Sequence, residues 1–180
     1  MLTRTDYSAA QKRATQMILE SGIRITEEEK EQISVADFGL SDLALEGGQI
    51  LTFFNTNRIS TKIIVLFPEQ TLPEHWHPSI GNDPGKEEIV RVISGTLYFY
   101  IPGKPSILLG HIPSNKENYY TVRHEIVMQS GDQIVLAPGI VHWFQAGNEG
   151  AVMYSFSTTA RDILDCFSDP NIVRTTKIVE

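Results

Sequence analysis

From Gln49 onward the chain is written in short β-type runs. QILTFF, ISTKIIVLF, EEIVRVI, GTLYFYI, SILLGHI, YYTVRHEIVM, DQIVLA, VHWFQA and AVMYSFS are rich in Val, Ile, Phe, Tyr and Thr, and NTN, PGK, PSNKEN, QSGD and GNEG punctuate them. About nine such runs within about 110 residues leave an antiparallel sandwich or a small barrel as the fold. SGT, between EEIVRVI and LYFYI, predicts a tight hairpin. The residues before Gln49 read differently. Ala10, Ala14, Met17 and Ile18 share one helical face that Gly22 ends, and Thr26 followed by Glu27, Glu28 and Glu29 caps a second, short helix. These helices bury too little by themselves, so residues 1–48 are expected to form an arm packed on a barrel of residues 49–160. Residues 161–180 are expected to give a short helix around Asp162–Phe167 and an extended tail. A chain of 180 residues suits one structural domain.

Charge and cysteine content narrow the function classes. With 15 Lys and Arg against 22 Asp and Glu the net charge is −7, a field that repels nucleic-acid phosphates and anionic lipid. The single Cys166 rules out an internal disulfide and any cysteine-rich zinc cluster. No apolar run approaches the ~20 residues of a membrane span, and Gln11, Lys12, Arg13 and Gln16 interrupt the opening helix where a secretory signal needs a continuous apolar core. A cytoplasmic location is the expectation.

Chemistry enters with the histidines. In His75-Trp76-His77, residues two apart on a strand point to one face, so both imidazoles converge while Trp76 points away. One carboxylate and one further imidazole would complete a transition-metal site with open positions. In the run beginning Glu87-Glu88, alternation with Val90 and Val92 turns Glu88 inward and Glu87 outward. A carboxylate at the start of an apolar strand needs a partner or a metal. His142 follows an apolar strand and a Pro-Gly turn. His111 sits in a loop, and His124 alternates with Val122, Ile126 and Met128, which makes it a packed core residue or a substrate contact.

Together these residues resemble the two motifs of the cupin superfamily, G-x5-H-x-H-x3–4-E-x6-G and G-x5-P-x-G-x2-H-x3-N. His75, His77, Glu88 and Gly95 follow the first, and Gly131, Pro138-Gly139 and His142 lie along the second. Glu69 stands at the first glycine, the His-to-Glu gap is ten residues, and Ala137 and Ala146 replace the motif proline and asparagine. The resemblance implies a double-stranded β-helix (a jelly-roll barrel) and one divalent metal ion on His75, His77, Glu88 and His142.

The longer stretch PEHWHP…GKEEIVRVISGTLYFYIPG, the helical arm and the tail FSDPNIVRTTKIVE resemble the D-lyxose isomerase family. That resemblance implies a metal-dependent ketol-isomerase, typically with manganese, interconverting D-lyxose with D-xylulose and D-mannose with D-fructose. The ligand types admit Fe, Co, Ni or Zn equally. Lys86, two residues before Glu88, and Lys62 match family lysines. Asp169-Pro170 and then Arg174 match a carboxylate–proline step and an arginine, and Glu180 is what remains of a terminal acidic run. In isomerisation Asp169 is the expected base and Lys86 and Lys62 its cationic partners, with Arg174, Glu180 and His124 as substrate contacts. A free monosaccharide as substrate and a homodimer are expected. A sugar-phosphate isomerase, an iron dioxygenase and a non-enzymatic sugar-binding module are the alternatives that the ligand set leaves open.

Overall fold

The computed structural model describes residues 1–180. Its elements in chain order are β1 (Leu2–Thr3), α1 (Arg4–Glu20), α2 (Glu27–Glu31), β2 (Ser34–Ala36), β3 (Gly48–Asn55), β4 (Ile59–Leu66), β5 (Thr71–Trp76), β6 (Glu88–Ile101), β7 (His124–Met128), β8 (Gln133–Leu136), β9 (His142–Thr158), β10 (Cys166–Phe167) and β11 (Ile178–Val179). Two long strands, β6 and β9, organise the barrel. The first half of β9 pairs with β5 on one side and the far half of β6 on the other. Its second half pairs with β4 and the near half of β6. Both strands therefore pass from one sheet to the other, giving the orders β10-β5-β9-β6-β7 and β2-β3-β4-β9-β6-β8. This is the curled, antiparallel double-stranded β-helix.

The passage between sheets corrects the expected hairpin. SGT is no turn: β6 runs through it with register shifts between Val92 and Ser94 and between Gly95 and Leu97. GNEG likewise lies inside β9. Gly95 and Gly150 face each other at the bend with φ of +79° and +78°, and a Cβ on Gly95 would lie 2.0 Å from the Gly150 carbonyl oxygen. Small residues at positive φ are what a bulge and a turn share, so one tripeptide satisfies both readings. Gly95→Ala is expected to destabilise the fold by about 2–4 kcal/mol through combined backbone strain and overlap, read as a lower midpoint in denaturant. A shift worth under ~0.5 kcal/mol would contradict the crowded bend. Glu69, at the glycine position of the first motif, adopts φ +60°, so this chain keeps the left-handed backbone there without the glycine.

β4 is apolar on both faces because both are covered. Ile63 and Val65 meet Ala10, Ala14 and Ile18 of α1, while Ile64 and Leu66 face the barrel interior with Phe99, Phe144 and Met153. Thr26 and Glu29 form the capping box of α2. The C-terminal segment crosses the barrel end and returns to the arm, where β11 pairs in parallel with β1.

Three other expectations fail for identifiable reasons. SILLGHI forms no strand: the backbone N–H groups of Leu108, Leu109 and Gly110 donate to the Glu125 carboxylate, and Leu108 stays 83% exposed. YYTV precedes β7 as coil, because Thr121 and Val122 donate their N–H groups to Glu74. The helix around Asp162–Phe167 is a 3₁₀ turn over Asp162–Leu164 followed by β10, whose Cys166 and Phe167 pair with Trp76 and His75. Side-chain carboxylates and a sheet edge, all distant in sequence, decide these segments.

Candidate metal centre

His75 on β5 and His142 on β9 are cross-strand partners, and His77 follows directly after β5. Their ring centroids lie 4.2 Å (His75–His142), 5.1 Å (His75–His77) and 5.3 Å (His77–His142) apart. One ligand nitrogen from each ring comes within 4.8 Å of the others, and all three residues are buried. Glu88 enters from the opposite sheet at the start of β6, 4% exposed, with Oε2 3.0 Å from His77 Nε2. Val90 and Val92 are buried beside it and Glu87 is exposed, as alternation requires. The ten-residue gap between His77 and Glu88 is accommodated by a loop that returns against His77: a Cβ on Gly85 would lie 2.5 Å from the His77 carbonyl oxygen.

Each imidazole is oriented by a bond at its other nitrogen. His75 Nδ1 lies 2.8 Å from the Pro73 carbonyl, His142 Nδ1 2.8 Å from the Ile140 carbonyl, and His77 Nδ1 2.7 Å from Asp165 Oδ1. Those bonds aim the Nε2 atoms at one another, and His142 Nε2 is buried with no hydrogen-bond partner. A buried, unpartnered ring nitrogen is costly. Pre-oriented imidazoles with a carboxylate beside them are the donor set that a divalent cation satisfies.

The protonation states fit the same use. Burial, with His142 and His77 close by, holds His75 well below the usual histidine range, and burial pushes His142 down to about 4, so both present lone pairs at neutral pH. Burial opposes the charge on Glu88, but Lys86 and the His77 hydrogen bond outweigh it and hold the carboxyl well below its ordinary range. His77 is moved upward: burial works against its charge, while Asp165 and Glu88 favour it.

Beside this cluster opens a cavity with about 40 Å³ of room for the centre of a water molecule. It is lined by the polar residues His75, Lys62, Lys86, Glu88, Asp162, Asp165 and Arg174 and by the apolar residues Phe38, Ile50, Ile64, Leu72, Phe144 and Phe167. Lys62 faces the barrel interior, 5% exposed, and its ammonium is paired with Asp162, which also lies 3.5 Å from Arg174 Nη2. Lys86 Nζ is 3.1 Å from Glu88 Oε2. Burial raises the Asp162 carboxyl, but the Lys62 charge prevails and keeps it below the ordinary range.

The structure thus gathers Lys62, Lys86 and Arg174 around one cavity and leaves other candidates outside it. Asp169 does not line the cavity: its carboxylate, 4% exposed, is bonded to Lys116 Nζ at 2.5 Å and to Asn171. His124 packs at Gly103, with Nδ1 3.2 Å from both Ser106 Oγ and the Lys104 carbonyl, because β7 is an edge strand of the barrel. Glu180 is exposed beyond β11 and His111 is exposed in a loop. The carboxylates at the cavity that sequence reading missed are Asp162 and Asp165. Their i, i+3 spacing in RDILDCF was the available signal, since a 3₁₀ turn puts such residues on one side.

The sequence pattern of the cupin family matches residues 50–174. The D-lyxose ketol-isomerase of Cohnella laeviribosi is 45% identical over 171 residues, covering 94% of each chain. The D-lyxose/D-mannose isomerase of Thermosediminibacter oceani is 44% identical over 179 residues, covering 99% of each. Among solved structures, that of Acinetobacter sp. DL28 L-ribose isomerase in complex with L-ribose aligns with a TM-score of 0.83 at 15% identity, covering 99% of this chain and 98% of that one, a likeness of fold. The cupin pattern across the barrel, and such identity along nearly the whole length, make the chain a member of the D-lyxose ketol-isomerase family of cupins.

Proposed function

We propose that the chain is a metal-dependent aldose–ketose isomerase acting on free D-lyxose and D-mannose. The observation that carries the reading is the set of three buried imidazoles with Glu88, opening onto a cavity that holds an ion-paired lysine and aspartate. His75, His77, Glu88 and His142 would hold one divalent ion, manganese in our reading. When bound, the ion supplies Lewis-acid polarisation of the sugar carbonyl and hydroxyl oxygens.

Asp162 takes the part expected of Asp169. Ionised at neutral pH, it accepts the proton from C2 and returns it at C1. The Lys62 ammonium at its side donates a proton to O1 as the C1 carbonyl becomes a hydroxyl, and takes the O2 hydroxyl proton in exchange as the C2 carbonyl forms. Lys86 keeps Glu88 ionised, and Arg174 steadies both Asp162 and the substrate hydroxyls. The apolar lining residues receive the C–H face of the sugar and exclude water. All three cavity cations already face carboxylates, which favours a free sugar over a sugar phosphate. The reading includes a homodimer, supported by the exposed Val127 and Val135 on edge strands β7 and β8. Sedimentation as a single chain at micromolar concentration would refute that part.

The test is an anaerobic panel of free aldoses and their phosphates with the manganese-loaded protein. Ketose should form from D-lyxose and D-mannose in preference to the phosphates. Turnover confined to phosphates, or product formation that requires oxygen, would overturn the reading.

Asp165 serves this site through His77. Asp165→Asn is expected to weaken metal affinity about 10–100-fold, measured by competition with a chromophoric chelator. Unchanged affinity would show that the 2.7 Å contact has no such role.

A further inference from the structure

Three of the five residues from Asp37 to Ser41 have positive φ: Phe38 at +51°, Gly39 at +72° and Ser41 at +60°. For a bulky side chain this region is unfavourable and persists only where the surroundings fix it. Here they do. Asp37 Oδ1 accepts the Gly39 N–H, the Val173 N–H donates to the Phe38 carbonyl at 2.8 Å, and the Asp37 N–H donates to Thr176 Oγ1. The strained turn belongs to the N-terminal arm, yet it delivers the Phe38 ring, 2% exposed, into the cavity wall.

The position of that ring is specific. Phe167 lies with its centroid 5.8 Å from the His75 ring, the Phe38 and Phe167 centroids are 5.5 Å apart, and the Arg174 guanidinium sits 5.6 Å over Phe38. Phe38 has Phe167, not a histidine, as its ring partner, and so stands one ring removed from His75. A sugar with its reacting carbons at the histidine end directs its terminal carbon toward Phe38, which offers volume and no hydrogen bond.

We propose that Phe38 sets the length of sugar chain the cavity accepts, its ring being the wall against which C5 of a pentose or C6 of a hexose rests. The proposal rests on the isomerase reading above and adds a specificity-determining residue to it.

The test uses Phe38→Gly, which removes the ring while suiting the left-handed backbone, and Phe38→Leu, which keeps most of the packing. The ratio of kcat/KM for D-mannose to that for D-lyxose is expected to rise about tenfold in Phe38→Gly, the low end of what one carbon unit is worth in a pocket, and by an intermediate factor in Phe38→Leu. A merely structural role lowers both sugars together, so a ratio within twofold of the wild type in both variants would overturn the proposal. Calorimetry with the non-reacting D-arabitol and D-mannitol reads the same wall without turnover. A wild-type chain that isomerises neither sugar, with variants that gain affinity for the longer alditol over the shorter, would sink the isomerase reading and uphold the wall. Equal changes for both alditols would sink the wall.

Discussion

His142→Ala is expected to purify with little metal and to lose at least about a thousandfold in turnover, roughly 4 kcal/mol of transition-state stabilisation, while keeping its circular dichroism. The site explains why the loss is local. His142 Nε2 is the buried ring nitrogen without a partner, and its Nδ1 bond to the Ile140 carbonyl fixes only the ring itself. Removing the imidazole takes away a donor but no ladder bond, because β9 stays paired with β5, β4 and β6 through its backbone. The neighbouring acids supply an internal control. Glu88→Gln removes the charge that faces His77 and should lose metal similarly, whereas Glu87→Gln, exposed one residue earlier, should behave as wild type. Full metal content and turnover in His142→Ala would remove it from the ligand set.

Asp162→Asn should give the opposite pattern: metal retained, kcat reduced about 10²–10⁴-fold, the usual range for a removed acid–base group. Asp162 has no hydrogen bond or ion pair with the three histidines. Its partners are Lys62 and Arg174. A transition-state role lowers kcat and kcat/KM together, whereas a binding contact mainly raises KM. Lys62→Met should share the phenotype, since it leaves Asp162 without its nearer cation and the sugar oxygen without its donor. Asp169→Asn, outside the cavity, should keep kcat and lose stability instead, because it breaks the pair with Lys116. Wild-type kcat in Asp162→Asn with metal bound would return the search for the base to the other cavity carboxylates.

What the sequence made legible follows period-2 alternation. The His-x-His pair, the inward Glu88 beside the outward Glu87, and Lys62 on the face of Ile64 and Leu66 were all readable, because a strand assigns side chains to faces by parity. Asp162 and Asp165 were not. They sit on a 3₁₀ turn whose place over the cavity depends on β10 pairing with β5, about 90 residues earlier in the chain. Asp169, singled out by its proline neighbour, shows the converse: the turn chemistry was local and correct in kind, while its distance from the cavity was a tertiary fact. The SGT bend and the SILL loop failed for a related reason. A glycine at positive φ serves hairpin and bulge alike, and Glu125 captures the backbone amides that a ladder would have used.

The measurement that bears most directly on the account is a titration of the metal-free chain with Mn²⁺ under anaerobic conditions, following D-xylulose formed from D-lyxose against metal bound per chain. Activity is expected to rise linearly from near zero to a plateau at one equivalent, and to fall again when a chelator strips the ion. Full activity in the metal-free chain, or one equivalent bound with no ketose formed, would contradict it.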